Sequence, residues 1–256
     1  MLRSLNTGVS GLRAFQTKLD VIGNNIANVN TVGYKKGRVV FEDLFSQTLK
    51  SATAPTPGAG GINPLQVGLG TKVASVDNIF TPGSPTSTGN GSDLYIDGDG
   101  FFMVKKGAEE FLTRAGNFTV DKDYNLVNPE GMMVIDDSSE TISLAGYVSY
   151  SIDANGKITG VKTDGTTGDV ATIGITSVTN PNGLMKVGGS LYSVTDNTQK
   201  VASPGYQILA GQLEMSNVDL SEEMTDMITA QRGFQANAKI ITVSDSILEE
   251  LVNLKR

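Results

Sequence analysis

The chain has 256 residues, a net charge of −7 and 39% hydrophobic content, enough for one large or two small domains with a buried core. Its 30 glycines and 6% aromatics favour a turn-rich β body over a dense enzyme core. With no Cys, His or Trp it lacks disulfides, thiolate chemistry, imidazole bases and Cys or His metal ligands, and its acidic balance argues against a nucleic-acid partner.

Residues 4–30 read as one helix, with Ser4 or Asn6 as its cap. Leu5, Leu12, Leu19 and Ile26 recur every seven residues, and Phe15, Ile22 and Val29 form a second series offset by three. Positions 12, 15, 19, 22, 26 and 29 thus alternate steps of three and four, the spacing of a coiled-coil seam. Gly8, Gly11 and Gly23 each cost up to about 1 kcal/mol relative to Ala, which makes the helix marginal alone. Val32-Gly33 is a plausible stop, with Gly33 suited to a left-handed cap. Four Asn (24, 25, 28 and 30) crowd the end of this segment, and Asn is a costly choice inside a helix. They fit either a fraying, Asn-capped end or side-chain amides that bond nearby backbone in a packed assembly.

Phe41, Leu44 and Phe45 give residues 34–50 one apolar face. Residues 51–70, with Pro55, Pro57 and Pro64, read as an extended linker or loop. From 71 to 212 short apolar runs alternate with turn signals. Leu94-Tyr95-Ile96 precedes Asp97-Gly98, and Ser149-Tyr150-Ser151-Ile152 precedes Asn155-Gly156, which predicts antiparallel β hairpins. Asp121-Lys122-Asp123-Tyr124-Asn125 begins like a calcium loop but has Leu126 where Gly is required, so it reads as a polar turn. Asp97-Gly98-Asp99-Gly100 reads as a tight turn. Asp136-Asp137 could serve a glycosidase only with a partner carboxylate at a set distance, and Gly68, Gly70 and Lys72 miss phosphate-loop spacing.

Residues 219–254 read as a second long helix, capped by Asp219 with Glu222. Acids fill its first turn, and Lys255 and Arg256 stand at its far end, as the helix dipole favours. Its stripe runs Leu220, Met224, Met227, Phe234, Ala238, Ile241, Leu248 and Val252, interrupted by Gln231 and Asp245. Residues 1–50 carry 7 basic and 3 acidic side chains, and residues 214–256 carry 4 and 8, so the two ends have complementary charge. No run of about 18 apolar residues is present. The N-terminal segment lacks the apolar core of a Sec-type signal, because Arg13, Lys18 and Asp20 fall within it.

The ends also carry longer motifs. The first is Gly8-Val9-Ser10-Gly11-Leu12, then Leu19-Asp20-Val21-Ile22-Gly23-Asn24-Asn25-Ile26-Ala27-Asn28 and Thr31-Val32-Gly33-Tyr34-Lys35. The second is Ser216-Asn217-Val218-Asp219-Leu220, then Met227-Ile228-Thr229-Ala230-Gln231-Arg232 and Phe234-Gln235-Ala236-Asn237. Between them stand Gly98-Asp99-Gly100-Phe101-Phe102 and Thr113-Arg114-Ala115-Gly116-Asn117-Phe118. Together these resemble the bacterial flagellar axial family of rod, hook and hook-associated proteins.

The resemblance implies a non-enzymatic building block with an α+β fold. Long terminal helices at 1–33 and 214–256 would form a coiled-coil-like core domain, 34–70 an extended connection, and 71–213 a mainly antiparallel β outer domain. It implies a homo-oligomeric helical tube, adjacent rod, hook or hook-junction proteins as partners, and export through the flagellar type III apparatus without a cleaved signal peptide, to the flagellum outside the cytoplasm. No cofactor, metal, nucleic acid or small-molecule substrate is implied. Subunit assembly is expected to use Leu12, Leu19, Ile22, Asn24, Asn25, Ile26 and Asn28 on the first helix. On the second it is expected to use Met227, Gln231, Arg232, Phe234, Ile241 and Leu248. The terminal motifs and Val67-Gly68-Leu69-Gly70 favour a hook subunit, the flexible joint. The short chain and the Gly/Pro-rich stretch at 46–64, which resembles the one that stiffens distal rod subunits, keep the distal rod as the alternative. A surface adhesin or a carboxylate-based glycan hydrolase are the remote readings.

Overall fold

The computed structural model describes residues 2–55, 60–202 and 205–254. The expectations for Lys255, Arg256 and Pro57 lie outside the described residues. The fold is α+β, with helices α1 (Leu2–Ala27) and α2 (Leu220–Leu254) flanking a succession of short strands.

The chain forms two compact units. The helical unit gathers the chain up to Ile26, Gly37–Asp77, and the chain from Asp219 on. It holds both helices and strands β1 (Gly37–Asp43), β2 (Ser46–Lys50), β3 (Leu65–Gly68) and β4 (Thr71–Asn78). β1 pairs with β4. β2 and β3 form an antiparallel hairpin, extended by a bridge between Thr53 and Ile62. The 51–70 stretch, read from its prolines as a loop, therefore contributes a strand, because Leu65–Gly68 follows the last Pro and finds Ser46–Lys50 as a ladder partner.

α1 ends three residues before the predicted position 30. Asn28 takes over there: its carbonyl accepts from Thr31 N at 3.1 Å and its side-chain oxygen from Thr31 Oγ1 at 3.1 Å, a local turn that competes with helix propagation. Gly33 is left-handed, φ 65°, as its identity suggested, but it closes this turn and not the helix. α2 begins where Asp219 was expected to cap it: Asp219 Oδ1 accepts from Ser221 N at 2.8 Å.

The β unit comprises Ala27–Lys36 and Asn78–Val218, and every strand pairing within it is antiparallel among the described residues. A nine-stranded sheet is centred on the hairpin Phe101–Lys106 and Glu109–Thr113. Phe101, Phe102, Met103 and Val104 are all buried, so this strand is covered on both faces and reads as a continuous apolar run. Phe102 meets Phe118 edge to face at 5.2 Å, and Phe80, Phe101 and Tyr192 form a second aromatic cluster. The predicted turn at Asn155-Gly156 joins the paired strands Tyr147–Ile152 and Lys157–Lys162, with Gly156 at φ 79°, whereas Asp97-Gly98, with Gly98 at φ 118°, closes no hairpin, because Leu94–Asp97 pairs with Gln207–Ala210 and Phe101–Lys106 belongs to another sheet. The Asp121–Asn125 segment is a hairpin turn between paired strands Thr119–Val120 and Leu126–Val127.

Candidate assembly surface

Small residues let α1 and α2 approach closely. A Cβ on Gly8 would stand 3.3 Å from the Ile241 side chain, one on Gly11 2.7 Å from Asn237 Oδ1, and one on Gly233 2.6 Å from the Phe15 ring. Farther along, Lys18 reaches Asp226 at 3.4 Å, and Asn25 donates to Glu223 Oε2 at 3.1 Å. Pairs 8 with 241, 11 with 237, 15 with 233 and 25 with 223 run in opposite directions, so the helices are antiparallel and in fixed register.

Asn25 is the anchor of this pairing. It is buried, its Nδ2 donates to Gly37 O at 2.9 Å, and its Oδ1 accepts from Gly37 N at 3.0 Å. One side-chain amide thus satisfies both backbone groups of the first residue of β1, as a neighbouring strand would. Glu223 receives the third bond while buried in the first turn of α2, where the helix dipole favours a carboxylate. Of the two readings of the Asn cluster, backbone bonding describes Asn25, and a local turn describes Asn28.

The other expected assembly residues fall on two kinds of surface. Ile22 is buried, while Leu12, Leu19, Ile26 and Asn28 are half-buried and Asn24 is exposed. On α2, Met227, Phe234, Ile241 and Leu248 are half-buried and Gln231 and Arg232 are exposed. The residues that α2 buries most are Glu223, Ala230 and Ser244. With half-buried Asn237 they repeat every seven residues, and interleaved with Met227, Phe234, Ile241 and Leu248 they give steps of four and three over the helix. Apolarity exposed only half of this pattern, since its other half is Glu, Ala, Asn and Ser. The seven-residue spacing itself was the signal that could have found it. α1 likewise buries Gly8, Gly11, Ala14, Ile22 and Asn25, a face turned from the predicted apolar stripe toward its small residues.

The β unit holds a buried charge cluster that motif reading did not single out. Lys35, Arg114 and Glu214 are each 3% exposed or less. Lys35 Nζ lies 2.6 Å from Glu214 Oε1 and donates to Thr81 O at 2.8 Å. Glu214 Oε1 also accepts from Gly83 N at 2.9 Å, and its Oε2 lies 3.5 Å from Arg114, which donates to Gly98 O at 2.7 Å. Burial holds the Lys35 ammonium below its usual pKa, against the pull of Glu214. Nearby, Asn217 accepts from Lys36 N at 2.8 Å and donates to Ile79 O at 2.8 Å. The motif residues Lys35, Arg114 and Asn217 therefore tie together segments distant in sequence. Gly116 in the same motif passes so near Leu94 O that a Cβ would stand 1.9 Å from it, which only Gly permits.

Three family models match the chain. "Flagella basal body rod protein" covers residues 5–35, "Flagellar hook protein FlgE/F/G D1 domain" covers 95–160, and "Flagellar basal body rod FlgEFG protein C-terminal" covers 209–254. The flagellar basal-body rod protein FlgG of Bacillus subtilis strain 168 is 49% identical over 264 residues, covering all of both chains. The flagellar hook protein FlgE of Borreliella burgdorferi is 32% identical over 442 residues, again covering all of both. The hook protein FlgE of Treponema pallidum is 47% identical over 168 residues, 60% of this chain and 36% of that one.

Proposed function

This chain belongs to the flagellar rod and hook protein family, a family of structural proteins and not enzymes, and from that premise we propose that it is the distal rod subunit. Members of the family assemble with other axial proteins in the basal body. The observation that carries the finer reading is the alignment with a rod protein along its whole length, 264 positions at 49% identity. The matched hook protein from Borreliella needs an alignment of 442 positions for the 256 residues here.

In this reading copies stack helically into a rigid tube, exported through the flagellar type III apparatus without a cleaved signal. α1 and α2 form its coiled-coil-like core, and the half-exposed Leu12, Leu19, Ile26, Met227, Phe234, Ile241 and Leu248, with Asn24, Gln231 and Arg232, meet neighbouring copies. The hook is the second reading, favoured by the terminal motifs and by the 47% match to the Treponema hook protein. Imaging basal bodies from cells that lack this chain separates the two. Loss of both distal rod and hook is expected, whereas loss of the hook with the rod intact would assign the chain to the hook.

A further inference from the structure

α1 has 26 residues and α2 has 35. In the register set by Gly8 against Ile241 and Asn25 against Glu223, the start of α1 reaches about as far as Ile247, so the last two turns of α2 run past it. The C-terminal half of α2 also carries a second apolar stripe, Ile240, Val243, Ile247, Leu251 and Leu254, which is 43% to 82% exposed. At 3.6 residues per turn it lies roughly a quarter turn from the face packed on α1. This half of α2 is thus apolar on two faces, and one of them is bare.

We propose that this second stripe is the docking face for α1 of another copy of the chain, which lies along it with the flank formed by Leu5, Val9 and Leu12. The proposal rests on the axial reading above and specifies which faces meet. Three observations select α1 as the occupant. α1 already covers the adjacent face of the same helix, so the contact continues an interface the fold has built. Leu5, Val9 and Leu12 are half-exposed on one side of α1, a complementary apolar strip. Finally, exposed Arg13 flanks the strip on α1 and exposed Glu250 flanks the stripe on α2, so opposite charges border the two strips.

The absence of native Cys makes the contact testable by cross-linking in the full chain. Within one copy residue 12 lies opposite about residue 237, so residues 12 and 247 are separated by about 15 Å along the axis, beyond the roughly 7 Å a disulfide spans between Cα atoms. Axial structures would be isolated from cells producing Leu12→Cys with Ile247→Cys, then oxidised and run without reductant. A ladder of cross-linked chains is expected, and neither single variant alone should give it. Normal tubes that yield only monomer would overturn this contact while leaving the axial reading in place. A second variant guards against failed assembly. Ile247→Lys is expected to abolish tubes while the free chain keeps its helix content, and Leu12→Glu is expected to restore them. Ile247→Lys tubes as abundant as those of the unchanged chain would overturn the contact. An unchanged chain that forms no tube removes the axial reading and the contact together.

Discussion

Glu214 lies between two buried cations, and its two oxygens are spread over Lys35, Gly83 N and Arg114. The surplus positive charge is met by the carbonyls of Thr81, Ile96 and Gly98. Removing one partner of a buried pair leaves an uncompensated charge and costs about 3–5 kcal/mol. Glu214→Gln is therefore expected to lose that much stability in the β unit, read by chemical denaturation with tyrosine signals. Tyr192 presents the opposite case. Its ring is wholly buried, and its hydroxyl has no hydrogen-bond partner among the described residues. Tyr192→Phe should leave the fold intact and add about 1 kcal/mol, since an unsatisfied buried hydroxyl is itself costly. Burial also raises the Tyr192 pKa above its ordinary value of 10.0, as it does for Tyr95 and Tyr206. The unfolded chain then releases those protons first, so stability is lost as pH climbs through 10.0. Lys35 acts in the other direction: its folded pKa lies below 10.5, so its contribution to stability rises as pH approaches that value. Tyr192→Phe is expected to show a shallower alkaline decline than the unchanged chain when unfolding is measured across about pH 8 to 11.

At the level of the helices, glycines that look alike in sequence have opposite roles. Gly23 has nothing within 4 Å of its would-be Cβ, so Gly23→Ala removes a helix penalty and should stabilise by up to about 1 kcal/mol. Gly233→Ala drives a methyl toward the Phe15 ring at 2.6 Å, and overpacking of that kind costs about 1–3 kcal/mol. Thermal melts of the two variants at 222 nm should move in opposite directions. That difference separates what the sequence reveals from what it hides. The seven-residue repeats of Leu5, Leu12, Leu19 and Ile26 and of Met227, Phe234, Ile241 and Leu248 mark the helices and their approximate ends. They do not mark the faces in contact, because Gly8, Gly11, Ala230 and Ser244 act by being small, and apolarity is blind to size. Asn25 was visible as a member of a costly cluster, but Gly37 as its partner depends on the fold bringing residue 37 beside α1. The β body was legible through its Asn155-Gly156 hairpin turn, whereas at Asp97-Gly98 the chain changes sheet and finds its partner strand Gln207–Ala210 far along the sequence. The Lys35, Arg114 and Glu214 cluster was not, since nothing local links residues separated by 179 positions at their widest.

Across the whole chain, buried apolar side chains are divided very unequally. Among the described residues, only Ala14, Ile22 and Ala230 of the buried hydrophobics belong to the helical unit, and the rest lie in the β unit. A fully buried Leu or Ile contributes about 1.5–3 kcal/mol, and ordering each residue of a helix costs about 1–2 kcal/mol. Three buried side chains, two of them Ala, cannot offset the ordering of two long helices by a wide margin. The β unit, with Phe102, Phe118 and their many buried neighbours, holds a core of its own. The two units should therefore unfold separately in the free chain, and the composition supplies a probe for each. All seven tyrosines, and no tryptophan, report on the β unit, while ellipticity at 222 nm reports mainly on α1 and α2. In the free chain the 222 nm signal is expected to fall at lower denaturant than the tyrosine signal, which breaks two-state behaviour. If neighbouring copies cover the bare apolar faces of α1 and α2 in a tube, as proposed, the two transitions should move together there. Coincident transitions in the free chain would mean that the helical unit is stable without neighbours and that its apolar faces need no cover to stay folded.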